Sequence, residues 1–551
     1  MRWRSRAKAP TRGDDRFRGA VSELKEPQLS WGIATPHPAA TGAAAAILAA
    51  GGTAVDGAIA AAGVLAVVYP HNCSVGGDLI ALVRAAGRAP RAVFGVGRSA
   101  RAVDAVAMRG EVGERVPVEG PSSISVPGVV SGWQAMYELG GSRSLAHLLQ
   151  PAVELASAGV EVSPSVARAL EDLDSSDRGL AQIFGPPKKR LGVGDVFVQQ
   201  QLAKTLAQVA ADPEDYYRGD LAERLATALG RIGSPITRED FARHHAVVDD
   251  AAVTVAGDLA PRLFTAGPPS QGVFFSALAE VLGRLLSEGY ELLGSDAAML
   301  ARAFREISMI RDDLLCDPTR WAGDEALHER LTQVDLVGPR SSGTPGALFI
   351  AEEPVSPSGD TVAVVAHDAF GGSVSMLQSI FHSFGSRVLD PATGVLFHNR
   401  QSMFTLRPGS PGELGPGLMP PHTLCPALVD AGDQNPSLVL ATMGGRAQPQ
   451  ILSQVLLQLA AGRDAQQALS APRYVVGDAE AQSRYRVVTA EHGVPADVLG
   501  SLREERFSMR MVGALGDEMG HAQVLRLGAE GVVDAASDPR SDGTAMRGVV
   551  G

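Results

Sequence analysis

Thr361 stands in Ser358-Gly359-Asp360-Thr361-Val362-Ala363-Val364-Val365, where turn-forming residues run directly into a β-branched stretch. Further along lies Met443-Gly444-Gly445-Arg446. A hydroxyl near its ordinary pKa is a poor nucleophile and needs a base beside it. The α-amine of an N-terminal threonine is such a base, since it titrates near pH 8 and is in good part neutral at physiological pH. Thr361 acquires that amine only if the Asp360–Thr361 peptide is cut. A glycine pair can bring two backbone N–H groups close to a developing oxyanion, because no Cβ intervenes. Together these residues fit an amide-cleaving enzyme that first cleaves itself. They fit equally a threonine that opens a strand and an ordinary glycine turn, and local sequence alone does not separate the two.

Wider motifs do. From Thr361 the chain runs without gaps through Asp368, Gly371, Val374, Ser375, Gln378, Ser379, Phe384 and Gly385, then Gly394-Val395-Leu396 and Asn399-Arg400. Upstream stand Gly51-Gly52-Thr53-Ala54-Val55-Asp56-Gly57-Ala58-Ile59-Ala60, Pro70-His71-Asn72, Gly76-Gly77-Asp78, Val126-Pro127-Gly128 and Gly267-Pro268-Pro269-Ser270-Gln271-Gly272. Asp538-Pro539-Arg540-Ser541-Asp542-Gly543 closes the series. In these motifs, in this order, the chain resembles the gamma-glutamyltranspeptidase family from residue 30 to residue 545. That resemblance implies an α+β fold, the four-layer αββα sandwich of N-terminal nucleophile hydrolases, built from both halves of a self-cleaved precursor. Residues 30–360 then form the large-subunit part, and 361–551 the small-subunit part that begins with the nucleophile.

Carried over residue by residue, the resemblance puts the nucleophile on Thr361 and the oxyanion donors on Gly444 and Gly445. The hydroxyl that hydrogen-bonds the nucleophile falls on Ser379, and the substrate-carboxylate arginine on Arg98. An arginine suits that last role because its planar fork donates two parallel hydrogen bonds and keeps its charge.

Departures from the family pattern bear on the substrate. Thr361-Val362-Ala363 replaces Thr-Thr-His, so a second hydroxyl at the processing site is missing. Met403 stands where the family has an aspartate that grips a glutamyl α-amine, and Arg400 where it has a glutamine. His422-Thr423 replaces a serine pair of the substrate pocket, and Phe381 an asparagine. A thioether accepts hydrogen bonds weakly, so the amino end of a glutamyl donor would lose a contact worth about 1.5–3 kcal/mol. The carboxylate end keeps Arg98 and gains Arg400, with His422 and Thr423 completing the substrate-binding set. Gly-Asp-Thr-Val together with Asn399-Arg400 resembles the subgroup that includes oxamate amidohydrolase. The expected activity is therefore hydrolysis of a small-molecule amide near an anionic group, through an acyl-enzyme and without a cofactor. Two alternatives stand beside it: a gamma-glutamyltransferase that still uses glutathione-type donors, and an unprocessed scaffold that only binds.

Composition narrows the partners. A net charge of −12 repels phosphate backbones, and an aromatic content of 5 % leaves little for base stacking, so nucleic acid is not expected. The apolar run Val55–Tyr69 contains Asp56 and Gly57 and is shorter than the ~17–25 residues of a membrane span, so it reads as a buried helix and no membrane partner is expected. Cys73, Cys316 and Cys425 are odd in number and lack metal-ligand spacing, which favours a reducing compartment. His367 and His382 also lack a metal-site pattern. Met1–Lys8 is basic, but no apolar run follows before Ser30, so a cytoplasmic location is expected. The two self-cleaved fragments are expected to stay associated; a homo-oligomer is admitted but not legible.

The elements that must position the site are readable from periodicity. Helices are expected at Ala39–Ala50, Val55–Tyr69, Ser144–Ala158, Gln199–Ala211, Asp220–Gly230, Phe274–Ser287, Asp296–Asp313 and Ile451–Ala461. Strands are expected at Leu79–Val83, Ala252–Val255, Thr361–Ala366, Ser373–Gln378 and Ser437–Thr442, with one sheet shared by both halves. Residues 1–29 read as a disordered or loosely held extension, Ser341–Ser358 as a breaker-rich stretch able to swing away after cleavage, and Arg407–Pro421 as a segment that borders or covers the pocket.

Overall fold

The computed structural model describes residues 30–173, 178–186, 189–332, 348–350, 360–430, 436–477, 485–528 and 533–550. The expected 1–29 extension lies outside them, as does most of Ser341–Ser358.

Strand β1 is Ser30–Thr35, helix α1 Pro38–Ala49 and helix α2 Ala54–Val68. Strands β2 (Asp78–Arg84), β3 (Arg91–Gly95), β4 (Val247–Asp250), β5 (Ala252–Ala256) and β6 (Ala260–Thr265) follow, then helices α3 (Gly272–Ser287) and α4 (Ala297–Leu314). After residue 359 come β7 (Asp360–His367), β8 (Ser373–Phe381), β9 (Ala427–Asp430), β10 (Pro436–Thr442) and helix α5 (Gln448–Ala460). Strands β11 (Ala522–Leu527), β12 (Val533–Ser537) and β13 (Thr544–Val549) complete the two large sheets.

The first sheet runs β13-β1-β7-β8-β2-β3-β4 and the second β12-β11-β10-β9-β6-β5, antiparallel throughout. Alternation along β7 shows how they stack. Val362, Val364 and Ala366 pack with α1 and α2, while Ala363 and Val365 pack with Leu428, Val439 and Leu525 of the second sheet. The outer face of that second sheet packs on α3, α4 and α5 through Leu263, Val429, Leu440 and Val524. The chain is thus an α+β, four-layer αββα sandwich, and each sheet takes strands from both sides of the Asp360–Thr361 peptide.

Helix α2 is buried along its whole length and packs on α1, as its small side chains require. Thr53 caps it: its hydroxyl accepts from the Asp56 amide while the Asp56 carboxylate accepts from the Thr53 amide. The expected helices and strands are all found, with ends shifted by a few residues. Two differences touch the site. Strand β7 begins at Asp360, one residue before Thr361, because Asp360 pairs with Phe381. Within the breaker-rich stretch, Leu348–Ile350 forms a strand parallel to Ser508–Val512.

Candidate active site

Thr361 lies where the β7–β8 register shifts: Asp360 pairs with Phe381 and Val362 with Gln378, so Ser379 and Ile380 together oppose Thr361. Such a bulge re-aims side chains. Here it sets Thr361 Oγ1 to donate to Ser379 Oγ at 3.0 Å, and Ser379 Oγ to donate to the Asp360 carbonyl oxygen at 2.8 Å. The Phe381 amide donates to the same hydroxyl at 2.9 Å and holds Phe381 at φ 78°, in the left-handed region costly for a bulky residue. Gly77 explains part of its motif: a Cβ there would lie 2.4 Å from the Ser379 carbonyl oxygen. Strand β2 can approach this bulge only through a glycine.

Arg400 opens a short 3-10 turn, Arg400–Met403, and is fully buried. Its Nη2 donates to Ser379 Oγ at 3.3 Å and its Nη1 to Thr423 Oγ1 at 3.1 Å, while the guanidinium carbon sits 4.2 Å from the Phe381 ring centroid. Nε has no partner, and among the described residues no carboxylate stands within ion-pair distance. Burial pushes the Arg400 pKa down to about 9, and the nearby Asp78 charge opposes that shift. It is still a cation at neutral pH. A buried guanidinium without a counter-ion is costly, and an incoming anion would offset that cost.

Asp78 is held ionised by the histidines around it, against the penalty of burial: His398 Nδ1 lies 3.2 Å and His422 Nε2 3.3 Å from its Oδ2, and the Gly97 amide donates to Oδ1 at 3.0 Å. His422 Nδ1 accepts from the Leu424 amide at 3.4 Å. His422 thus donates through Nε2, and burial, reinforced by Arg400, pushes its pKa down to about 3. Both of its ring nitrogens are engaged within the protein. Thr423 contributes its hydroxyl to Arg400 and its carbonyl to Gln271.

Gln271 extends the network to the glycine turn. Its Nε2 donates to the Thr423 and Gly445 carbonyl oxygens, the latter at 2.9 Å, and Arg311 Nη1 donates to the Arg446 carbonyl at 2.6 Å. With its carbonyls tied back, the turn leaves the Gly444 and Gly445 amides without a hydrogen-bond acceptor among the described residues. Gly444 has φ 138°, and a Cβ there would lie 2.3 Å from Ile451 Cδ1. Gly444→Ala is therefore expected to turn the amide away and lower amide turnover about 10²–10³-fold, the usual cost of one oxyanion donor. Steady-state rates measured beside a denaturing gel check this, since self-cleavage should survive.

Arg98 makes its contacts outside these hydrogen bonds, one residue after Gly97, whose amide donates to Asp78. Its Nη1 donates to the Gly417 carbonyl at 3.1 Å and lies 3.5 Å from Asp317, and it lines a cavity with Arg101, Val126, Asp240, Arg243 and His244. None of these belongs to the Thr361 network. Gly417 and Leu418, within the expected cover Arg407–Pro421, are stitched to the large part through Arg98 and Ser99, whose amide donates to the Leu418 carbonyl at 2.9 Å. Sequence reasoning gave no role to Asp78, Gln271 or Arg311. The first two lie in motifs already visible, Gly76-Gly77-Asp78 and Gly267–Gly272; an acid and an amide inside glycine- and proline-rich signatures were the available signal.

Among the described residues no helix is long and apolar enough to cross a membrane, and no group of three His, Cys, Asp or Glu side chains is arranged to hold a metal. Comparison with known proteins gives one family model, gamma-glutamyltranspeptidase, matching residues 40–548. The glutathione hydrolase-like YwrD proenzyme of Bacillus subtilis is 32 % identical over 528 residues, covering 93 % of this chain and 98 % of that protein. The oxamate amidohydrolase proenzyme of Klebsiella pneumoniae is 32 % identical over 535 residues, covering 93 % and 97 %. The crystal structure of cephalosporin acylase from Bacillus halodurans superposes with a TM-score of 0.82 at 26 % identity, covering 98 % of this chain and 99 % of that one.

Proposed function

Given that the chain belongs to the gamma-glutamyltranspeptidase family, we propose that it is an amidohydrolase that cuts its own Asp360–Thr361 peptide and then hydrolyses a small amide close to an anionic group. The observation that carries this reading is one continuous hydrogen-bonded chain. It runs from Thr361 through Ser379 to Arg400, on to Thr423 and, by way of Gln271, to Gly445.

Self-cleavage follows from the two hydrogen bonds of Ser379. As Thr361 Oγ1 attacks the Asp360 carbonyl carbon, its proton passes to Ser379 Oγ, and the Ser379 proton passes to the Asp360 carbonyl oxygen. As the intermediate collapses, that proton moves on to the Thr361 nitrogen, which leaves as a free amine while C=O re-forms as an ester. Water hydrolyses the ester to the Asp360 carboxylate and the Thr361 hydroxyl. The freed amine is then the base for each later turnover. Thr361 Oγ1 attacks the substrate carbonyl, the Gly444 and Gly445 amides receive the oxyanion, the leaving amine departs protonated, and water releases the acyl group. Arg400, buried and without a counter-ion among the described residues, holds the substrate's anionic group; the Arg98 cavity is a second place for an anion. No cofactor enters these steps.

Denaturing electrophoresis of the purified protein should give two bands, with Thr361 as the first residue of the smaller. Processed protein should hydrolyse at least one of oxamate, glutaryl amides and gamma-glutamyl amides. An intact polypeptide that still turns over amides would sink this reading, and a processed one inert on all three would refute its substrate class.

A further inference from the structure

Arg446 directly follows the two glycines, and its side chain is 37 % exposed. Its Nη2 reaches Met403 Sδ at 4.0 Å, and Met403 closes the turn that Arg400 opens. The charges of Arg446 and Arg400 both act on His382, which burial in the first place makes a weaker base. Two guanidiniums therefore address one short turn beside the nucleophile.

Among the described residues their compensation is incomplete. Arg446 Nη1 lies 3.1 Å from Asp312 Oδ1, but Arg311 Nη2 lies 2.8 Å from the same oxygen, and the Tyr485 hydroxyl donates to the other. Arg311 is buried and Arg446 is not, so one carboxylate serves two cations and the outer one keeps an excess of positive charge. The other side-chain hydrogen-bond contact of Arg446 among the described residues, a thioether, accepts hydrogen bonds weakly. An ammonium group brought against Met403 would meet this guanidinium at close range, whereas an anion would meet N–H donors.

Resting on the amidohydrolase reading above, we propose that Arg446 selects the acyl group by charge, admitting acyl chains that end in an anion and rejecting those that carry an ammonium. The contrast is read with three p-nitroanilides of similar acyl length: glutaryl, butyryl and gamma-glutamyl. For the self-cleaved protein, kcat/KM should fall in that order. Arg446→Gln should lower kcat/KM for the glutaryl anilide about ten- to a hundredfold, mostly through KM, the range for losing one charged hydrogen bond. It should leave the butyryl anilide nearly unchanged and raise the gamma-glutamyl anilide. Arg446→Lys should keep most of the charge preference.

An Arg446→Gln protein that retains the wild-type ratio among the substrates, or loses all three equally, overturns the proposal, while turnover by the wild-type protein leaves the amidohydrolase reading intact. A processed wild-type protein inert on all three anilides overturns the proposal, and one inert on oxamate as well overturns the amidohydrolase reading.

Discussion

Replacing Thr361 by alanine is expected to leave a single full-length polypeptide with no measurable amide turnover. In the proposed mechanism the same hydroxyl serves twice, first against the Asp360 carbonyl and then against the substrate, so its loss should remove the second reaction along with the first. Turnover should fall by on the order of 10⁴-fold or more, since only binding and the oxyanion donors would remain. The fold should not suffer. Thr361 Oγ1 makes one hydrogen bond, to Ser379, worth about 1 kcal/mol. Thr361→Ser should restore both reactions. A gel of the alanine variant that shows two fragments cut at this peptide would mean that some other group attacks Asp360.

The uncleaved alanine variant should also lose stability as pH rises from about 4 to about 8, and Asp360→Asn should remove most of that slope. Asp360 is only 4 % exposed, and burial pushes its carboxyl pKa up to about 8. Below the ordinary carboxylate range, folded and unfolded chains are both protonated and nothing is lost. Between about pH 4 and 8 the unfolded chain has released a proton that the folded chain keeps, so stability falls by about 1.4 kcal/mol per pH unit. The loss is complete near pH 8, where it reaches about 5 kcal/mol. Urea midpoints of Thr361→Ala, alone and with Asp360→Asn, at pH 4.5, 6 and 7.5 check this, because other titrating groups are common to both. Parallel pH profiles for the two proteins would show that Asp360 does not retain its proton. At neutral pH the uncleaved chain thus carries a burden at the bond to be broken.

How much of this was legible beforehand depends on the range of the interactions involved. Helix α2 and strand β7 were readable because an unbroken small-apolar run and a β-branched run are local signals. The pairing of Ser30 with Val549 was not, since nothing near either residue marks the other. At the site, Thr361, Ser379, Gly444 and Gly445 stood out by type and by family pattern. That Arg400 would be buried with no carboxylate beside it among the described residues was invisible, because arginine ordinarily reaches water. Gln271 was equally silent: its work is to tie two carbonyls from distant loops, and its own neighbours do not reveal them.

Because each large sheet combines strands from before and after the Asp360–Thr361 peptide, cutting that bond changes the molecularity of refolding without changing the folded structure. The precursor can find its pairings as one tethered chain, at a rate independent of dilution. Once cut, the same pairings become an encounter between two polypeptides, neither of which holds a complete sheet, so recovery from denaturant should slow as the protein is diluted. If the proposed cut is made, the linkage would speed assembly and be dispensable afterwards, leaving the cleaved protein dependent on its two parts staying together.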